Sequence, residues 1–270
     1  MYRHINGHQA WVQHDGDTGP PILFIMGFGI SGDGWQLQVE GLSPDHRVAW
    51  YDVRGLGRSK PGDGRLHLAT LAEDAVGILD ALGWEAAHVV GISMGGMIAQ
   101  TVALDHPDRV LSLTLITTHA GGGLRATLPT LRGLSAFTAS NLSRGLGRHL
   151  ALGLLLFPLR HWATLPLNTT QLRSLGGRAP AWVRMRHLQA IRSFDARRRL
   201  SELADLPVLL VRAGADILIP PHHTDKLLAY LPHAHLLDLP SHGHGSIITA
   251  HDAINQAIRT FIQDTSRPQA

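Results

Sequence analysis

The 270-residue sequence contains no cysteine. Disulfides, cysteine-ligated metal sites and a thiol nucleophile are therefore excluded. Long apolar runs are also missing, since nothing uninterrupted approaches the roughly 20 residues that a membrane-spanning helix needs. Met1 to Asp17 is polar and broken by His and Gly, unlike the charged start and apolar stretch of a secretory leader. A cytoplasmic protein without a membrane span is expected. The third deficit is local. From His119 to Leu200 the chain has thirteen Arg, no Lys and a single acidic residue, Asp195, a local charge of +12. The remainder carries eleven basic against twenty acidic residues, or −9. Such asymmetry marks an interaction surface or a segment paired to an oppositely charged body. Pairing is expected for most of the arginines, with a few left near a site entrance.

What is present is a pattern of short apolar runs: Ile22–Met26, Val48–Tyr51, His88–Gly91, Leu111–Thr117, Val208–Ala213 and His235–Leu239. Helix-length segments separate most of them. Leu68, Leu71, Ala72, Ala75, Ile78, Leu79 and Leu82 recur at helical spacing, and Met94–Leu104 is small and apolar like a buried helix. Alternating strands and helices predict an α/β fold with a mostly parallel sheet covered on both faces. The alternation stops after Thr118. Gly121-Gly122-Gly123 reads as a flexible joint. Beyond it lie Leu- and Arg-rich helices split by Pro129, Pro158, Pro166 and Pro180, and alternation resumes at Leu206. The expected organisation is a core of residues 1–118 and 201–270 with a helical cap, 119–200, inserted in it. The tail from Asp264 to Ala270 is expected to fray.

Val89-Val90-Gly91-Ile92-Ser93-Met94-Gly95-Gly96 follows a strand and opens a helix. This is a G-x-S-x-G nucleophile elbow in strand–turn–helix context. The turn must be sharp to project the Ser93 hydroxyl, and side chains at Gly91 and Gly95 would crowd it. The helix that follows aims its N-terminal N–H groups at charge developing beside Ser93.

With these residues in place the sequence resembles the α/β-hydrolase superfamily along nearly its whole length. Gly27-Phe28-Gly29 resembles the oxyanion loop, and Asp52-Val53-Arg54-Gly55-Leu56-Gly57-Arg58-Ser59 the D-x-R-G-x-G-x-S loop. Gly214-Ala215-Asp216 with Pro220 resembles the acid loop, and Gly243-His244-Gly245 the histidine loop. Within the superfamily the chain is similar to small capped serine esterases, such as polyketide methylesterases and enol-lactone hydrolases. Met26 stands where many relatives have His before the loop glycine.

A serine hydroxyl needs a base to accept its proton, and histidine suits neutral pH. Chain order in this fold is Ser, acid, His. Of the two candidates in Ser241-His242-Gly243-His244-Gly245, His244 between glycines matches the pattern, leaving His242 as a loop residue lining the approach. Asp216 follows the Val208–Ala213 run and is the expected acid, while Asp205 and Asp225 read as turn and surface residues. The backbone N–H groups of Phe28 and Met94 are the expected oxyanion donors. Asp52 and Arg54 are expected to tie down a turn. A metal site from His233, His235, His242 and His244 is the less favoured reading of those histidines.

The cap apolar residues Leu150, Leu152, Leu154–Phe157, Leu159 and Trp162, with Trp182, Met185 and Leu188, are expected to pack the cap onto the core. They are also candidates to wall a tunnel for an apolar or aromatic acyl group. The resulting expectation is a carboxylesterase-like serine hydrolase acting on a small-molecule ester, with no cofactor, no metal and no nucleic-acid partner. Lactone opening, C–C bond hydrolysis, perhydrolysis or acyl transfer on the same triad are the rival reactions. A non-catalytic ligand-binding member and an interfacial lid on anionic lipid are the rival classes.

Overall fold

The fold is described from a computed structural model, which covers residues 1–63, 66–123, 129–142, 145–165 and 179–265. The apolar runs become the strands of one eight-stranded sheet, in the order β1-β2-β4-β3-β5-β6-β7-β8. β3 (Pro21–Ile25), β4 (Arg47–Tyr51), β5 (Ala87–Ile92), β6 (Val110–Ile116), β7 (Val208–Ala213) and β8 (His235–Leu239) run parallel. Successive residues of β3 feed opposite faces. Leu23 and Ile25 join one apolar cluster and Ile22 and Phe24 the other, all fully buried. The period of two along a strand places both faces in contact with helices, so the run is continuously apolar.

On one face lie α2 (Leu68–Leu82) and α3 (Met94–Asp105), and on the other α1 (Gln36–Leu42) and, near the end of the chain, a helix over His251–Thr265. α2 ends where Gly83 turns left-handed at φ 69° and its N–H returns to the Asp80 carbonyl, a glycine stop. Asp264 and Thr265, expected to fray, are the last residues of the His251–Thr265 helix, and the tail beyond them lies outside the described residues.

The N-terminal stretch, polar and broken by His and Gly, forms a hairpin of β1 (Tyr2–Ile5) and β2 (His8–Asp15), paired antiparallel with Ile5 opposite His8. Asn6 and Gly7 both have positive φ, 42° and 77°. An Asn-Gly pair between strands is a strong hairpin signal. β2 sits antiparallel on β4, with Ala10 and Val12 buried and the intervening side chains less so. Half-exposure at the sheet margin explains the polar look of the stretch.

Between β6 and β7 the chain forms α4 (Leu131–Leu142), α5 (Gly145–Leu156), a 3₁₀ segment (Leu159–Thr164) and α6 (Ala181–Ser193). Pro166 and Arg125, Arg144, Arg173 and Arg178 lie outside the described residues. The glycine joint is pinned rather than loose. Gly121 bridges to Asp195, and the Ala196 N–H donates to the Ala120 carbonyl at 2.9 Å. A Cβ on Gly121 would overlap the Phe194 carbonyl, so the two ends of the insertion are stitched where they leave the sheet. α7 (His222–Tyr230) lies between β7 and β8, and α8 (Ser246–Thr249) precedes the His251–Thr265 helix, α9.

Candidate active site

The carboxyl ends of β3, β5, β7 and β8 deliver four loops to one side of the sheet, where open α/β sheets bind ligands. Ser93 lies between the end of β5 and the start of α3, at φ 55° and ψ −121°. A non-glycine residue there is strained by about 1–3 kcal/mol and persists only when its surroundings enforce it. The enforcement is visible. Ser93 N–H donates to the Ile116 carbonyl at 3.0 Å, and the Ser93 carbonyl accepts from Thr118 Oγ1 at 2.7 Å and Gly96 N–H at 3.0 Å. A Cβ on Gly91 would overlap the Gly95 carbonyl, and one on Gly95 the Ile25 carbonyl, so only glycine allows the turn to approach β3.

Asp216 is 3% exposed and His244 4%. His244 Nδ1 lies 2.7 Å from Asp216 Oδ2. The other carboxylate oxygen of Asp216 accepts N–H groups from Leu218 at 2.8 Å and Ile219 at 2.9 Å, which fixes the carboxylate. His244 and Ser93 line the same cavity, of about 350 Å³. Phe28 and Met94 line it too, and among the described residues neither backbone N–H is engaged with a carbonyl acceptor outside its own element. Met94 opens α3, so its N–H has no acceptor within that helix.

The insertion supplies much of the remaining wall: Leu134, Phe137, Leu152, Leu155, Leu188 and Ile191, with the guanidinium-bearing Arg148, Arg184 and Arg192. Among the described residues no Asp or Glu lines it. His119, just past β6, is a wall residue that pattern reading missed, and burial lowers its pKa to about 4. No local motif distinguishes it; only its place at a strand's carboxyl end marks it. The histidine loop rests on the insertion. Gly245 N–H donates to the Leu156 carbonyl at 2.8 Å, and Arg160 and His161 both bond the Ser241 carbonyl.

Several expectations resolve differently. His242 does not line the cavity among its described walls; its ring stacks on His161 at 4.6 Å and its Nδ1 meets Thr249 Oγ1 at 2.9 Å. Trp182 and Met185 do not pack α6 onto the core, being 49% and 56% exposed; Val183, His187 and Ala190 form its buried face. Leu150, Leu154 and Leu159 are likewise exposed, whereas Leu155, Leu156 and Phe157 are buried. Two of the insertion's described arginines form ion pairs with named carboxylates. Arg199 bonds Asp105 and Glu202, and Arg197 bonds Asp195 within the insertion.

Asp52 and Arg54 do not pair with each other. Buried Asp52 accepts from Gly32 N–H and Arg58, and Arg54 makes a two-pronged contact with buried Asp74 at 2.6 and 2.7 Å. Asp225 pairs with Arg212 on the surface. His233 bonds the Leu206 carbonyl and His235 packs on Phe261, apart from the histidine loop. Among the described residues no three His, Asp or Glu side chains gather as a metal set, and no helix is long and apolar enough to cross a membrane.

An elbow serine, an acid–histidine pair and this sheet order define the class, and the family model described as alpha/beta hydrolase fold matches residues 20–250. The chain belongs to that family, whose activity class is hydrolase. Among relatives, RutD of Caulobacter sp. (strain K31), provisionally named a carbamate hydrolase, is 32% identical over 267 residues, 97% of this chain and 95% of that one. The enol-lactonase from Burkholderia xenovorans LB400 superposes with a TM-score of 0.82 at 25% identity, over 97% of this chain and 100% of that one. A hydrolase from Pseudomonas aeruginosa PA01 gives 0.81 at 26% identity, over 97% of each chain.

Proposed function

We propose that the chain is a serine hydrolase that cleaves a carboxylic ester through an acyl-enzyme. The observation that carries this reading is the buried His244–Asp216 contact at 2.7 Å, placed at the cavity that the strained Ser93 also lines. Ser93 Oγ attacks the ester carbonyl carbon while His244 Nε2 takes its proton. Asp216 holds the imidazole with Nδ1 protonated and stabilises the imidazolium that forms. The tetrahedral oxyanion is held by the N–H groups of Phe28 and Met94. Its collapse breaks the bond to the alcohol oxygen, which leaves with the proton from His244. Water, deprotonated by His244, then attacks the acyl-Ser93 ester, and the carboxylic acid departs as Ser93 regains its proton. This chemistry needs no cofactor.

Residues 119–200 act in this reading as a cap inserted in a body of residues 1–118 and 201–270. Apolar walls from both parts suit an apolar or aromatic acyl group. The similarity to RutD supports a second substrate class, a carbamate, and the similarity to an enol-lactonase supports a lactone; both would use the same nucleophile. The test is steady-state hydrolysis of p-nitrophenyl esters of increasing chain length beside a matched carbamate and lactone, with Ser93→Ala as control. Ester turnover that Ser93→Ala abolishes supports the reading. Turnover of carbamate or lactone in preference to every ester would reassign the substrate, and ester turnover surviving in Ser93→Ala would refute the nucleophile.

A further inference from the structure

The cavity wall has an unbalanced charge. Three arginines line it, and no carboxylate does among its described walls; the stretches left undescribed contain no acidic residue. Arg184 is the telling one. It is half-buried, and among the described residues its guanidinium has no ion pair or hydrogen bond. Two ordinary accounts of an arginine fail here. Salt-bridge pairing, as seen for Arg199, is absent. Helix electrostatics disfavour it, because Arg184 is the fourth residue of α6, in the first turn, where the helix end is positive and a cation is repelled. By contrast, Arg192 in the last turn of α6 is accounted for by that same field. A partly desolvated, unpaired cation on the wall of a largely apolar cavity costs stability unless something binds it.

Arg184 shares its helix row with Leu188 and Ile191, at spacings of four and three, and all three line the cavity that contains Ser93 and His244. The row therefore presents one cation followed by apolar surface. We infer that Arg184 is a specificity-determining residue that binds the carboxylate of an anionic ester, whose apolar chain lies along Leu188 and Ile191 with the ester at Ser93. This rests on the serine-hydrolase reading and names the substrate class for it. Arg192, exposed and also lining the cavity, adds only a diffuse positive potential that salt screens.

The experiment compares two p-nitrophenyl esters of equal length: the half-ester of a six-carbon dicarboxylic acid, and its terminal methyl ester. Wild type, Arg184→Gln and Arg132→Gln are measured at low salt and at about 0.5 M salt, where screening acts within a few ångströms. Arg132 is exposed on α4 and does not line the cavity, so it reports diffuse charge alone. The expected result is a kcat/KM preference for the carboxylate of about ten- to hundredfold in wild type, as a charge-assisted hydrogen bond gives. The ratio should fall close to one in Arg184→Gln, mainly through KM, and stay high in Arg132→Gln. A ratio near one in wild type, or one that survives in Arg184→Gln, overturns the proposal. Equal loss in both variants also overturns it, in favour of a diffuse cationic face such as one for anionic lipid. If neither ester turns over but a fluorophosphonate labels Ser93, the substrate class is wrong and the nucleophile stands. If there is no labelling either, the serine-hydrolase reading itself has failed.

Discussion

The α/β body and the helical insertion solve burial in opposite ways. In the body the central strands β3 to β7 are buried on both faces, and the buried carboxylates have defined partners. Asp52 takes four donors from Gly32 and Arg58, and Asp74 takes a two-pronged Arg54. In the insertion, Leu146, Leu150 and Leu154 form an exposed stripe along one side of α5, and the segment holds nine of the fourteen exposed large apolar side chains among the described residues. Of its described arginines, Arg197 pairs with Asp195 and Arg199 with Asp105 and Glu202, whereas Arg184 has no ion pair among the described residues. The comparison teaches a division of labour: the body holds Ser93, Asp216 and His244 through defined hydrogen bonds, and the insertion supplies cavity wall and positive charge. The two meet at the histidine loop, where Leu156, Arg160 and His161 hold the backbone on either side of His244.

The largest expected effects lie in the body's loops. Ser93→Ala and His244→Ala should each lower kcat by about 10⁴- to 10⁶-fold, and the double variant little further, because members of one catalytic unit are not additive. His242→Ala, whose ring stacks outside the cavity, should retain most activity. If His242→Ala were as damaging as His244→Ala, the division between reacting loop and supporting insertion would break down.

Next in size is packing. Phe24→Ala empties a fully buried site that packs on Trp35 at 4.9 Å, and should cost about 3–5 kcal/mol in urea unfolding. A loss below about 1 kcal/mol would mean that the body is less tightly filled than its burial indicates.

An effect of comparable size, spread over about two pH units, is pH dependence at the junction. Burial lowers the pKa of His119 and His187 to about 4, and His187 Nε2 meets the Arg54 carbonyl at 2.9 Å, joining insertion to body. The unfolded chain takes up these protons near pH 6.5 and the folded chain only near pH 4, so between those values the unfolded state binds more protons. Stability should be full above about pH 6.5 and fall as pH drops towards 4, by up to about 1.4 kcal/mol per pH unit for each histidine. Thermal melts from pH 7 to 4.5 should show this, with a shallower slope in His187→Gln. A melting temperature flat across that range would contradict the burial of these rings. Smallest of all, Leu146→Ala, at 76% exposure, should shift stability by under about 0.5 kcal/mol.

Legibility in the sequence followed the same division. The central parallel strands and α2 were readable because two-faced burial makes continuous apolar runs, and because helical spacing over Leu68–Leu82 is regular. Ser93, Asp216 and His244 were readable because each follows an apolar run at a glycine-marked turn. The β1–β2 hairpin was passed over since its edge position allows polar residues on one side, although Asn6-Gly7 announced it. The insertion was least legible. Its leucines recur at helical spacing whether they face core or water, so periodicity alone could not tell the Val183–His187–Ala190 face of α6 from the exposed Trp182 and Met185. Charge counting likewise could not locate partners: nothing in the composition shows that Arg199 meets Asp105 across the chain or that Arg197 meets Asp195 two residues away.

The central claim is that Ser93 is a nucleophile activated by His244 and Asp216. It is tested most directly by treating the full chain with a fluorophosphonate and mapping the adduct by peptide mass spectrometry, in wild type, Ser93→Ala and Asp216→Asn. The account predicts one adduct, on Ser93, formed rapidly in wild type, absent in Ser93→Ala and formed far more slowly in Asp216→Asn, where the amide favours the wrong imidazole tautomer. An adduct on another residue, or equal labelling rates in wild type and Asp216→Asn, would contradict it.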